Sequence, residues 1–279
     1  MLNLPLFYKI KDKMLIMIKT KIEKYIDSIP AIPQNVKECA KYLEEGDLNK
    51  AAKSALKDSA FSHYLVKLVN KPIFGLRHEV KDLSQIFGIL GIEKAAQIVN
   101  AYYVKLILPS SWELFSITNS DFQALQTSLI YNWNRILNEE NQNTIALASV
   151  ISLLPASMII CEEIFKENAK EVELLKMQKD MSYDKILYKM SGYKLFDIFI
   201  MICKEWELSN DSIRFIEYIS KKIEDETMLS KLARYIHLLI FYEISKPVYI
   251  EAGFSDFIEF DIEFVQNIYE KFMQIVKSQ

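Results

Sequence analysis

Apolar positions along this chain return at steps of three and four, not two, so the pattern predicts one helix after another. Phe7, Ile10, Met14, Ile18, Ile22 and Tyr25 mark one face of an amphipathic N-terminal helix. Pro33 can open the next helix at its first turn, with Val36, Ala40 and Leu43 inward and Gly46 ending it. Asp47 caps another, with Leu48, Ala51, Ala52 and Ala55 inward. Asp58 or Ser59 caps the following one, whose inner face is Phe61, Leu65, Leu68 and Val69, and Pro72 stops it. Gly75 lies in the next loop, where a positive φ is free of steric penalty. Leu83, Ile86, Phe87 and Leu90 form a short helix closed by Gly91, and 92–107 form another.

Pro109-Ser110-Ser111 is the clearest interior break and is read as a seam between two helical subdomains. Asn119 or Ser120 then caps a helix to about Leu137, and 138–143 make a polar turn. Thr144 begins an unusually apolar stretch, 145–160, with Pro155 inside it. Residues 170–192 are charged and less regular. Three more helices are expected at 193–206, 212–223 and 229–244, then a loop at 247–255 and one last amphipathic helix at 257–276. The expected architecture is therefore all-α. Residues 1–21 form a leading helix, 22–225 a domain of two packed helical subdomains (about 22–108 and 112–225), and 226–279 a helical extension.

Composition agrees with helices. Hydrophobic residues make up 51% of the 279 positions and only six are glycine, against a usual share of about 7%. A net charge of −3 offers no basic patch for nucleic acid. Cys39, Cys161 and Cys203 are widely spaced, with no CxxC pair. They are expected to be reduced, buried thiols in a cytoplasmic protein. The apolar run Leu15–Ile18 is bracketed by Lys11, Lys13, Lys19 and Lys21 and is far shorter than the roughly 20 residues a membrane span needs. No small-residue cleavage site follows it, and no other segment is expected to span.

Signatures of chemistry are scarce. GxxxxGK[ST], GxGxxG and GxSxG are all absent. Aromatic residues fall at helical core spacing without the interleaved basic residues of a single-strand-binding face. None of the three histidines, His63, His78 and His237, is followed by Asp. His63 has no carboxylate three or four positions away, and His78 lies in the 72–81 loop. No catalytic residue, metal ligand or cofactor is assigned from these residues.

Four short motifs carry a family resemblance. They are Ile29-Pro30-Ala31-Ile32-Pro33, Lys57-Asp58-Ser59-Ala60, Leu68-Val69-Asn70-Lys71-Pro72 with Phe74-Gly75, and Ile89-Leu90-Gly91. In that order and spacing the stretch resembles the front half of an HDOD domain, a bacterial signalling module derived from the HD phosphohydrolases. The resemblance covers about 22–225 and implies an HD-domain-like helical bundle. Pro30, Pro33, Asp58, Asn70, Gly75, Gly91 and Trp206 are the family-motif residues and are read as structural. In the family Asn70 stands in an Asn-Ser pair; here the Ser is Lys71.

HD hydrolases bind metal through an early His, a His-Asp pair and a later Asp, deprotonated and convergent. The resemblance sets Thr127 where many relatives carry His. It sets Ser152-Leu153-Leu154-Pro155-Ala156 where the family has Gly-Leu-Leu-His-Asp, so that Pro155 and Ala156 replace both ligands. Pro155 either kinks this helix or starts a new one. Leu195 falls at a further His, and Glu217-Tyr218 at a common His-His pair. Trp206 and Leu208 match a Trp-Gly-Leu-Pro motif whose proline is Ser209 here. The implied function is a non-enzymatic signalling or regulatory module acting on an unidentified partner in trans. That partner would dock through the N-terminal helix, the C-terminal helix or a relic cleft around Thr127, Pro155 and Leu195. The alternatives are a small-molecule or nucleotide sensor using that cleft and, third, a residual metal-dependent phosphohydrolase.

Overall fold

The computed structural model describes residues 4–277 except 73–74, 143, 180 and 224, with side chains from 15 onward except 178–179. The motif residue Phe74 and the side chains of Phe7, Ile10 and Met14 therefore lie outside the described residues. The described chain is all-α, without a strand. Its helices are α1 (Leu4–Asp27), α2 (Gln34–Glu44), α3 (Leu48–Leu56), α4 (Ser59–Val69), α5 (Leu83–Leu106), α6 (Asn119–Glu139), α7 (Ile145–Leu153) and α8 (Pro155–Glu167). There follow α9 (Ala169–Lys179), α10 (Tyr183–Ser191), α11 (Leu195–Glu205), α12 (Asn210–Ile219), α13 (Met228–Ile244), α14 (Pro247–Glu251), α15 (Ile262–Val265) and α16 (Tyr269–Lys277).

Local chemistry sets most of the helix starts. The carboxylate of Asp47 accepts from the Lys50 N–H, and that of Asp58 from the Phe61 N–H, both at 2.9 Å. Pro33 stands one position before α2 as its cap residue. Within α5, Gly91 takes φ 75° and ψ 173°, so two helical segments meet there at a corner that favours a residue without Cβ. Beyond that corner every residue from Ala95 to Val104 is buried, and this segment packs most extensively on α7. A helix buried on all sides marks the centre of the fold. Helices α2, α3 and α4 surround α5 on one side, while α6, α7, α8, α11 and α12 build the other side.

Several boundaries differ from expectation. The cap of α6 is Thr118, not Asn119 or Ser120, because Thr118 and Asp121 form a reciprocal capping box. Pro155 starts a helix: it occupies the first position of α8, where its missing N–H costs least. The stretch 170–192 contains two helices, α9 and α10, the latter capped by Ser182 and closed by left-handed Gly192. Ser209 caps α12 two residues earlier than read, and the helix ends at Ile219. Residues 247–255 contain α14 and the start of a 3₁₀ turn, Phe254–Phe257. The last stretch is not one helix. Ile258 is extended (φ −130°, ψ 151°), Asp261 caps a new start, and a 3₁₀ turn, Gln266–Ile268, precedes α16. The expectation that nothing beyond the N-terminus approaches a span also needs correcting. The run Ile145–Glu167 is long and apolar enough, its most apolar 18-residue stretch having mean hydropathy 2.0, but 89% of that stretch is buried inside the fold.

Two carboxylates tie the C-terminal helices to α6. Glu140 accepts from Lys231 Nζ (2.6 Å), Lys271 Nζ (2.8 Å) and the Tyr235 hydroxyl (2.8 Å). Fully buried Glu243 accepts from Asn132 Nδ2 (2.8 Å) and pairs with Lys246. Burial by itself would raise the Glu140 carboxyl, but its three donors outweigh that and hold it down at about 2.

Replacing Glu140 by Gln is expected to cost roughly 1–3 kcal/mol at pH 7. Because the folded carboxyl sits below its ordinary 4.5, the deficit is present in full above that value and shrinks as pH falls towards about 2. Urea melts of wild type and Glu140→Gln at pH 7 and pH 3 check this; a deficit that does not shrink with pH would show that the ionised carboxylate is not what matters.

Candidate functional site

The region facing α7 is where the ligand positions of a hydrolase are expected, and it is built from amides rather than imidazoles. Gln97 on α5 donates from Nε2 to the Ala148 carbonyl (3.0 Å). Gln126 on α6 donates to the Ser152 carbonyl (2.7 Å), and Trp133 Nε1 to the Leu147 carbonyl (2.9 Å). Asn134 Nδ2 reaches Gln97 Oε1 (2.7 Å) and the Ile130 carbonyl (2.9 Å), so these two amides are linked.

The six positions that the resemblance sets at hydrolase ligands, Thr127, Pro155, Ala156, Leu195, Glu217 and Tyr218, are not gathered on one cavity wall. Thr127 is 7% exposed, and its hydroxyl donates to the Gln123 carbonyl one turn back (2.7 Å). It lines a cavity of about 200 Å³ with Val69, Leu76, Leu90 and Ile98. Two further polar side chains of that cavity are engaged: Asn134 as above, and Arg135 with the Val276 and Ile275 carbonyls. Pro155 and Ala156 are buried at the start of α8. Leu195 is fully buried at the start of α11, where its N–H donates to Asp184 Oδ1 (2.7 Å). Glu217 is half-buried on α12, and buried Tyr218 donates its hydroxyl to Asp225 Oδ2 (2.9 Å).

Two motif residues of the front half, Asp58 and Asn70, hold backbone. Pro30 is exposed before α2, and Asp58 caps α4. Asn70, at the end of α4, donates to the Val66 and Val80 carbonyls (2.8 Å each) and accepts from the Val80 N–H (2.9 Å). It thereby staples the far end of the loop that holds Gly75 (φ 64°) onto α4. Trp206, 4% exposed, meets Tyr103 edge-on at 5.7 Å.

Sequence reasoning singled out the three histidines only to set them aside, and His237 turns out to be the structured one. His63 and His78 are exposed. His237 lies between the rings of Phe196 (5.0 Å) and Phe264 (4.9 Å), with Nε2 at 2.6 Å from the Ile219 carbonyl. A carbonyl only accepts, so Nε2 carries the hydrogen and Nδ1 is left as an acceptor. The ring borders a cavity of about 860 Å³ between α10, the start of α11, α13 and residues 258–261. Asp184, Lys185, Lys221 and Asp261 also line it. Lys221 pairs with Asp261, and Lys185 with Glu259 (2.6 Å). Burial raises the Asp184 carboxyl and pushes the His237 imidazole down to about 4, although the Ile219 carbonyl pulls it the other way. At neutral pH His237 is an uncharged acceptor. Among the described residues, no three His, Cys, Asp or Glu side chains converge as a metal site would require. Gln97, Gln126 and Asp184 went unmarked in the sequence; the available signal was a polar residue inside an apolar helical run.

A sequence profile of the HDOD domain matches residues 28–222. No protein with a curated description matches the chain. An HDOD domain protein of unknown function from Geobacter sulfurreducens superposes with a TM-score of 0.57 at 13% identity, over 95% of this chain and 96% of its own. A candidate metal-dependent phosphohydrolase from Shewanella amazonensis gives 0.53 at 10% identity, over 88% and 97%. A candidate signal transduction protein from Marinobacter aquaeolei gives 0.58 at 14% identity, over 90% of this chain and 57% of that one. At these identities the likeness is one of fold.

The buried imidazole makes a prediction. Its folded value, about 4, lies below the ordinary 6.5, so the unfolded chain binds the proton first as pH falls. Wild type should lose stability between pH 6.5 and pH 4, approaching about 3 kcal/mol, and His237→Phe should lack that component. Denaturant melts of both proteins across this range read it out; parallel curves would mean that the ring is solvated.

Proposed function

We propose that this chain, which belongs to the HDOD domain family, is a non-catalytic regulatory module that acts on a protein partner in trans. The single observation that supports this most is the pair Pro155-Ala156. Both residues sit in the first turn of α8 with their side chains in the core, and neither carries an atom that can ligate a divalent cation. Thr127 spends its hydroxyl inside its own helix, and Leu195 is a core side chain. A hydrolase of this lineage needs a metal to polarise phosphate and generate hydroxide. The residues found at those positions suit packing instead. The three buried cysteines, Cys39, Cys161 and Cys203, fit a reducing cytoplasm, where such a module would work.

A second reading, a small-molecule sensor, is favoured by the cavities outside the replaced positions rather than by the small one at Thr127. The phosphohydrolase reading is the one to eliminate. Purified without chelators, the full chain is expected to carry substoichiometric metal by elemental analysis and to turn over no member of a nucleotide panel with Mn²⁺. Stoichiometric metal or turnover would overturn the non-catalytic assignment. Affinity capture from the native cell is expected to return one reproducible partner, and its absence across growth conditions would count against action in trans.

A further inference from the structure

A third cavity, of about 410 Å³, opens where α2, α5, α7 and the α11–α12 turn meet. It stands on different residues from the replaced positions and is independent of whether the domain is catalytic. Its inner wall is made by Asn100, Tyr103, Ser149 and Trp206, exposed by 7%, 4%, 4% and 4%. Ser149 Oγ and Trp206 Nε1 are buried and have no hydrogen-bond partner. The Asn100 side chain, 7% exposed, lines the same space. A buried polar group left unpaired costs roughly 1–3 kcal/mol, so two at one place call for an explanation.

The contrast with the neighbouring residues sharpens the point. Of the three tryptophans, Trp112 Nε1 donates to Asn119 Oδ1 (2.8 Å) and Trp133 Nε1 to the Leu147 carbonyl (2.9 Å). Gln97, three residues before Asn100 on the same buried helix, is bonded at both ends of its amide. Among the described residues one other buried side-chain atom, Glu162 Oε2, lacks a partner, so two of three such atoms lie around this cavity. The adjoining turn holds Glu207 at φ 56°, a left-handed conformation unusual for a residue with a side chain. The Glu207 carboxylate bonds Lys37 Nζ across the rim at 3.0 Å.

We propose that this cavity is a binding site for a small uncharged molecule with an amide edge and a further acceptor oxygen. The chemistry follows from the wall. An indole N–H only donates, so Trp206 asks for an acceptor oxygen. The carboxamide of Asn100 presents one donor and one acceptor in a plane, the complement of a cis-amide. Ser149 both donates and accepts. No charged side chain stands on the inner wall, and the rim balances Lys37 and Lys41 against Glu44 and Glu207, so nothing there rewards a net charge on the ligand. The volume falls within the range of small-molecule sites.

The full chain labelled with ¹⁵N-tryptophan tests this. Its spectrum holds three indole resonances, and Trp206→Phe assigns one of them. Uracil, a cyclic amide, is titrated as probe, with glucose, acetate and inorganic phosphate as separate arms. The expected result is a saturable shift of the Trp206 resonance with uracil alone, weakened at least tenfold in Asn100→Ala. No shift with uracil overturns the proposal, and so does a saturable shift only with glucose or only with an anion. Ser149→Ala supplies a check that needs no ligand. A hydroxyl kept for binding leaves the melting temperature unchanged or higher when removed, whereas a fall of several degrees would assign it to the fold and sink the site.

Discussion

The constraint on which the rest of this structure hangs is the break between α7 and α8 at Pro155. Pro155 interrupts the most apolar run of the chain, so the last turn of α7 runs out of helical donors in a place water does not reach. The Ser152 carbonyl is taken by Gln126 from α6, and one turn earlier the Ala148 carbonyl is joined by Gln97 from α5. Each amide must meet a fixed carbonyl within hydrogen-bonding geometry, and that sets how α5 and α6 lie against α7. Hydrophobic burial is non-directional; these bonds supply the direction. Pro155 is thus integrated into the packing of the core.

The family region does not close on itself. Helix α13 and the segments after it cover α6 and α12 through contacts that are specific rather than merely apolar. Glu140 gathers donors from α13 and α16, Glu243 reaches back to Asn132, Arg135 holds the carbonyls near the C-terminus, and His237 reaches the end of α12. Buried charges of this kind are neutral in energy at best when compared with apolar packing, but they tolerate only one docking arrangement. The extension is best understood as part of the same folded body. The cavity beside His237 exists because two stretches distant in sequence meet there.

How much of this could be read in the sequence depended on whether the cause was local. Asp47, Asp58 and Gly91 act within a turn of themselves, and their roles were legible. Thr118 displaced Asn119 and Ser120 as the cap because its partner Asp121 completes a reciprocal box, a two-residue signal that a list of single cap formers misses. The 257–276 segment kept its helical spacing while breaking into pieces. Periodicity records which residues face the core, not whether the backbone between them is continuous. The candidate sites were hardest. Gln97 and Asn100 are similar residues three positions apart on one buried helix, yet one is bonded at both ends of its amide and the other lines a cavity. That difference is decided by what α7 and α6 place opposite them, and no pattern along α5 encodes it.

The span-like character of 145–167 has a consequence for how the chain must be made. A segment this apolar is a liability while it is unpaired, to aggregation and to membrane-insertion machinery alike. Synthesis proceeds from the N-terminus, so α5 and α6, with Gln97 and Gln126, leave the ribosome before the carbonyls they will hold. The first half of the domain can thus serve as a waiting template, ready to receive α7 and α8 as they emerge. The order of helices along the chain is itself a safeguard, one that would be lost if the same bundle were connected in another sequence.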